Sequence, residues 1–87
     1  MYYVYLLQSP RYKRFYIGFT TTIEQRIAQH RSQLVLSTRY TNDWELIYCE
    51  QYRHKADALG REQFLKSGAG WRFLRKQLRH EFQLFIP

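Results

Sequence analysis

Cysteine occurs once, as Cys49, so no disulfide can close within the chain and a cysteine-based zinc site is disfavoured. A reducing compartment suits such a chain, and the cytoplasm is the expected location. No stretch approaches the run of about 18 apolar residues that a membrane span requires. The start, Met1-Tyr2-Tyr3-Val4-Tyr5, lacks the basic opening of a signal peptide, so neither span nor leader is expected. Repeats, low-complexity tracts and Gly/Pro/Ser-rich linkers are also missing, and residues 1–87 are expected to form one domain. Acidic residues are scarce: seven Asp and Glu stand against fourteen Lys and Arg, for a net charge of +7. That imbalance favours polyanionic partners through counterion release, and arginine, which outnumbers lysine, adds a planar fork suited to phosphate. Nucleic acid is the expected partner; a membrane is not.

Aromatic residues make up 18% of the chain and apolar ones 45%, enough for a modest core and too much for a disordered tail. Tyr2 to Leu7 reads as a buried strand, and Arg14 to Phe19 as a second that ends around Gly18. The turn residues Ser9-Pro10-Arg11-Tyr12-Lys13 join them as a hairpin. Thr20-Thr21-Thr22 offers N-cap hydroxyls, with Glu24 and Gln25 at capping-box spacing from Thr21 and Thr22. A helix from Ile23 to Leu34 follows, with Ile23, Ile27 and Leu34 as its apolar stripe. Val35 to Asp43 reads as loop, Trp44 to Tyr52 as a third strand, and Lys55 to Lys66 as a second helix stopped by Ser67-Gly68. A third helix is predicted over Trp71 to Phe82. The order β-β-α-β-α-α implies an α+β fold: a small three-stranded antiparallel sheet flanked by helices.

Two charged residues fall where helix periodicity calls for core. In the second helix, Ala58, Leu59 and Leu65 define the apolar face and Glu62 lies near its centre, where a carboxylate is costly unless a metal, a cation or a wet cleft compensates it. In the first helix Arg26 borders the apolar stripe, and His30 follows one turn later on the same side. An ordinary salt bridge would explain Glu62, snorkelling would explain Arg26, and a satisfied structural histidine would explain His30. Taken together, they place ionisable groups from two helices toward the sheet, a layout suited to phosphate hydrolysis. In the third helix Arg72, Arg75, Lys76 and Arg79 share a face beside Trp71, Leu74 and Leu78. That face suits either plain solvation or contact with a nucleic-acid backbone.

Tyr3-Val4-Tyr5 and Tyr16-Ile17-Gly18, with ten residues between Tyr5 and Tyr16, resemble the paired tripeptides of the GIY-YIG endonucleases. Arg26, eight residues after Gly18, and Glu62 in Ala58-Leu59-Gly60-Arg61-Glu62 match the rest of that pattern. Phe64-Leu65-Lys66-Ser67-Gly68 is similar to the ending of small single-domain bacterial members. The resemblance implies a metal-dependent endonuclease that hydrolyses nucleic-acid phosphodiesters, DNA foremost, with repair or recombination as the setting. It implies Glu62 as ligand of one Mg²⁺ or Mn²⁺, Arg26 as the phosphate clamp, and Tyr5 and Tyr16 as groups that orient or activate water. His30 is a competing base. A phenol has a usual pKa of about 10, so either tyrosine would need a nearby cation or metal-bound water to depress it, whereas histidine needs no such help.

The chain departs from the pattern at Tyr3, where the family has glycine, at Val4 in place of isoleucine, and at Phe19, where several members carry lysine. No targeting module is attached, which points to a protein partner that supplies specificity. The alternative expectation is a nucleic-acid-binding module, catalytically weak or inactive, that works with such a partner. A third is a structural or adaptor protein that uses its aromatic surface for protein contacts.

Overall fold

The computed structural model describes residues 1–84 and has the element order β1 (Tyr2–Ser9), β2 (Arg14–Thr20), α1 (Ile23–Arg31), β3 (Glu45–Tyr52), α2 (Lys55–Lys66), α3 (Gly68–Gln77) and α4 (Arg79–Gln83). The three strands form one antiparallel sheet in the order β2-β1-β3, the α+β architecture expected from the sequence. β1 is central, and Val4 to Ser9 are all buried, which accounts for its nearly continuous apolar run. On the β3 side the register slips between Leu6 and Leu7, leaving Ile47 as the extra residue of a bulge.

Alternation along β1 divides the core. Val4 and Leu6 pack with Ile17, Ala58, Leu65, Leu74 and Phe82, so α2, α3 and α4 cover one face. Tyr5 and Leu7 pack with Trp44, Tyr16, Ile23 and Ile27, which puts α1 on the other. Arg26 and Glu62 therefore approach from opposite faces of the sheet, rather than from one side of it. Pairing of residues i and i+2 on one strand face produces this split, and helix wheels drawn one at a time do not contain it.

Several boundaries differ from expectation. α1 ends at Arg31 because Gln33 takes a left-handed conformation, φ 62°, and the chain turns away. Leu34 consequently leaves the apolar stripe and is 74% exposed. No threonine side chain caps α1; instead Thr20 Oγ1 accepts from the Thr22 amide at 3.1 Å. Leu59 lies on the outer side of α2 and is exposed, whereas Ala58 and Leu65 are buried. Ser67 starts a helix as well as ending one: its Oγ accepts from the Gly70 amide at 3.2 Å, so α3 begins at Gly68. Gly70 is required there, because a β-carbon would collide with the backbone of Phe64 and Leu65. The predicted long third helix breaks at Leu78, which places Arg79 in α4 and apart from Arg72, Arg75 and Lys76.

The hairpin turn and the 32–44 segment are tied together by Asp43. Its carboxylate accepts from Ser9 Oγ at 2.6 Å, the Arg11 amide at 2.8 Å and Thr41 Oγ1 at 2.7 Å. Burial pushes this carboxyl up, but the hydrogen bonds from Ser9, Thr41 and Arg11 together outweigh it and hold it below the usual carboxylate range. A group so depressed contributes stability that is complete above its unfolded pKa of about 4 and is lost as pH falls through the lower folded value. Asp43→Ala should cost about 2 kcal/mol at neutral pH in urea unfolding. Asp43→Asn should flatten the loss of stability below about pH 4 relative to the parent chain.

Candidate active site

The site begins with a missing side chain. Gly18 of the edge strand β2 pairs with Tyr5 of β1. A β-carbon on Gly18 would overlap the Tyr5 hydroxyl and Cζ and come within 2.9 Å of the Tyr16 ring. The Tyr5 phenol thus runs over Gly18 toward the edge of the sheet, and Tyr16, two residues before Gly18, stands on the same face. The Tyr5 and Tyr16 rings are 6.2 Å apart, and Tyr16 is 4.9 Å from the His30 ring.

His30 projects from the last turn of α1 and is wholly buried. Its Nε2 lies 2.9 Å from the Tyr5 hydroxyl and its Nδ1 2.8 Å from Thr38 Oγ1. The Thr38 hydroxyl also lies 3.5 Å from the Val35 carbonyl. With the proton on Nδ1, Nε2 accepts from the Tyr5 hydroxyl; with the proton on Nε2, both bonds reverse. Burial first, and then the Arg26 charge, lower the His30 pKa to about 4, so the ring is neutral at pH 7. Burial drives Tyr5 the opposite way, up to about 12, with hydrogen bonding to Arg26 pulling against it. The cation expected to depress a tyrosine is thus present, but for Tyr5 desolvation wins.

Arg26 is half-buried on α1; its Nη1 donates to Gln29 Oε1 at 3.0 Å, and its charge acts on both Tyr5 and His30. Glu62 comes from the other face on α2, which lies across β1 and β2. It sits four residues after Ala58 and three before Leu65, on their buried line, with 18% of its side chain exposed. Its Oε2 is 3.4 Å from Lys66 Nζ, and its charge reaches the Tyr5 hydroxyl. Tyr16 and His30 thus gather about Tyr5, whose hydroxyl feels the charges of both Arg26 and Glu62. Tyr5 and His30 form the buried inner pair; Tyr16, Arg26 and Glu62 remain partly open to solvent.

Among the described residues no group of three His, Cys, Asp or Glu could enclose a metal. Glu62 is a lone, partly exposed carboxylate, a donor set that suits Mg²⁺ or Mn²⁺ sharing its shell with water and phosphate oxygens and not a closed zinc site. Arg72, Arg75, Lys76 and Arg79 are all exposed, and no hydrogen bond or ion pair among the described residues ties them to the Tyr5 cluster. Phe19 stacks on Tyr2, with ring centroids 6.0 Å apart, and packs into the α2 side of the core.

Supporting residues went unseen in the sequence. Thr38 bonds His30 Nδ1 at 2.8 Å, and Trp44 holds Thr38 by donating from Nε1 to its carbonyl at 3.0 Å. Arg61, next to Glu62, forks onto Glu50 of β3 at 2.8 and 3.0 Å and lies over the Phe64 and Phe73 rings. Burial pushes the Glu50 carboxyl up, yet hydrogen bonds from Arg61, Tyr48 and Tyr52 hold it below the usual range. This clamp ties α2 to β3 one residue before Glu62. A polar residue in a loop and one more arginine on a helix carry no periodic signal; only the adjacency of Arg61 to Glu62 hinted at it.

A family model of the GIY-YIG catalytic domain matches residues 1–70. The chain belongs to the GIY-YIG family. Two relatives carry the name UPF0213 protein. One, from Natronomonas pharaonis, is 36% identical over 66 residues, covering 75% of this chain and 76% of its own length. The other, from Limosilactobacillus reuteri, is 34% identical over 70 residues, covering 75% of this chain and 70% of its own. No solved structure matches. The GIY-YIG match spans both tripeptides, Arg26, His30 and Glu62 but stops short of Arg72, so the basic face of α3 has no family support.

Gly18→Ala should cost about 1–3 kcal/mol in urea unfolding, because the added methyl displaces the Tyr5 ring. His30 should titrate near pH 4 by NMR of its imidazole in the parent chain. Because that value lies below the unfolded one, the His30 contribution to stability is complete above about pH 6.5 and is lost as pH falls toward 4. In Gly18→Ala the midpoint should climb toward about 6.5 as the Tyr5 contact is lost and water enters.

Proposed function

We propose that this GIY-YIG domain is a divalent-metal-dependent endonuclease that hydrolyses phosphodiesters in nucleic acid, with DNA as the foremost substrate. The observation that carries this reading is that Arg26 and Glu62, from helices on opposite faces of the sheet, both act on Tyr5, which bonds His30. Arg26 pairs with a non-bridging phosphate oxygen and offsets the charge that builds there as water attacks phosphorus and the P–O bond to the leaving sugar breaks. Glu62 holds the metal, which supplies Lewis-acid stabilisation of the phosphate oxygens when bound. Tyr16, the more exposed phenol, positions the attacking water. In the tautomer with the proton on Nδ1, the Tyr5 hydroxyl donates to Nε2 of His30, and the inner pair takes up the water proton: the Tyr5 oxygen accepts it while its own proton passes to His30. His30, being wholly buried, acts only through Tyr5.

Arg72, Arg75, Lys76 and Arg79 contact the nucleic-acid backbone away from the scissile bond, where exposure and charge suit them. A second reading, a binding module that depends on a partner for catalysis, is favoured by Phe19: it is committed to core stacking and supplies no cation near the phosphate.

With Mg²⁺ or Mn²⁺, purified protein should nick single-stranded, duplex or branched substrates, and chelation should stop it. Glu62→Gln should abolish nicking with the circular dichroism spectrum unchanged, and Arg26→Ala should reduce it by about 10²–10³-fold. Undiminished cleavage by Glu62→Gln would sink the assignment. Arg72→Ala and Arg75→Ala should each weaken binding across all sequences and lower the salt slope by about one.

A further inference from the structure

A second surface, on the β1–β2 turn and the segment before β3, has the makings of a base-stacking platform. Tyr12, in the β1–β2 turn, and Tyr40, in the segment before β3, meet edge to face with ring centroids 5.3 Å apart and an interplanar angle of 86°. Each is 48% exposed, so each offers open ring surface to a ligand. Two aromatic rings left this open forgo part of the burial that large side chains ordinarily gain.

The pair is held in place from below. Tyr12 donates its amide to Ser9 Oγ at 3.2 Å, and Ser9 and Thr41 both bond to Asp43, which couples the two segments that carry the rings. Tyr40 packs edge-on against buried Trp44 at 5.8 Å, and Trp44 lies 6.5 Å from Tyr16. A line of ring contacts thus leads from the exposed pair to Tyr16 and His30. Around the pair stand Arg11, Lys13, Arg14 and Arg39, all exposed and none ion-paired among the described residues. Lys13 adopts φ 53°, a left-handed conformation that the tight turn imposes. Open π-faces interleaved with unpaired cations suit unpaired nucleotides, whose bases stack while their phosphates are neutralised. A fully paired duplex hides its base faces and gains only the charge component.

We propose that Tyr12 and Tyr40 form a platform that stacks unpaired bases of the nucleic-acid substrate, with Arg11, Lys13, Arg14 and Arg39 holding the adjoining phosphates. This deepens the proposed function, and rests on its nucleic-acid reading, but binding at the platform requires no cleavage.

The test is fluorescence anisotropy in EDTA with a labelled single-stranded thymidine oligonucleotide and a blunt duplex of equal length. Tyr12→Ala/Tyr40→Ala should weaken single-strand binding about tenfold or more while duplex affinity stays within about twofold. Tyr12→Phe/Tyr40→Phe, which keeps both rings, should bind like the parent chain. If the alanine variant loses its fold by circular dichroism, Tyr12→Leu, which keeps bulk without a π-face, decides the matter by the same criterion. Lys13→Ala/Arg39→Ala should lower the salt slope on the single strand by about 1.4. Unchanged single-strand affinity in the ring variants, or equal loss on both substrates, would overturn the platform. Cleavage assays separate the two readings: nicking that survives Glu62→Gln defeats the catalytic assignment and leaves the platform standing. Nicking that needs Glu62, alongside unchanged binding in the ring variants, does the reverse.

Discussion

Tyr5 and Gly18 face each other across the central and edge strands, and the phenol occupies the space that any side chain on Gly18 would need. That exclusion sets the direction of the phenol, which in turn sets where the buried His30 finds its hydrogen-bond partner. A helix on one face of the sheet and a helix on the other both bring a charge to act on that hydroxyl. The packing of this domain and the assembly of its site are one problem, solved by the absence of a single side chain.

The buried polar network links four residues. His30 bonds Tyr5 through Nε2 and Thr38 through Nδ1, and Trp44 secures Thr38. Desolvation keeps both members neutral, lowering His30 and raising Tyr5, and Arg26 reinforces the first effect while opposing the second. A pair tuned this way is suited to passing a proton inward without holding a buried charge at rest.

In so basic a chain, the few carboxylates have distinct uses. Asp43 ties the hairpin turn to the segment carrying Thr38 and Tyr40, and Glu50 grips Arg61 and so orients α2. Glu81 accepts from the buried Gln8 amide at 2.6 Å. Glu62 differs: its neighbour Lys66 is at 3.4 Å and largely exposed, so the carboxylate keeps room for another cation. The excess positive charge is left on the surface, on α3 and around Tyr12 and Tyr40, where a polyanion can reach it.

Much of this was legible in the residues themselves. Apolar runs and the turn at Ser9–Lys13 marked the hairpin, apolar spacing marked α2 from Lys55 to Lys66, and the resemblance to the GIY-YIG pattern linked Tyr5, Tyr16, Gly18, Arg26 and Glu62. Those signals are local or periodic, and periodicity reports which side of an element is buried. It does not report against what. Only the tertiary structure decided that α1 and α2 lie on opposite faces, because that depends on the route of the chain around the sheet. Likewise, a left-handed Gln33 ended α1 early, and Leu78 divided the last helix, through backbone conformations that no stripe of apolar residues encodes. The inversion of the Tyr5 expectation has the same origin: a nearby cation was foreseeable, whereas the desolvation that outweighs it exists only once the sheet, α1 and Thr38 close around the phenol.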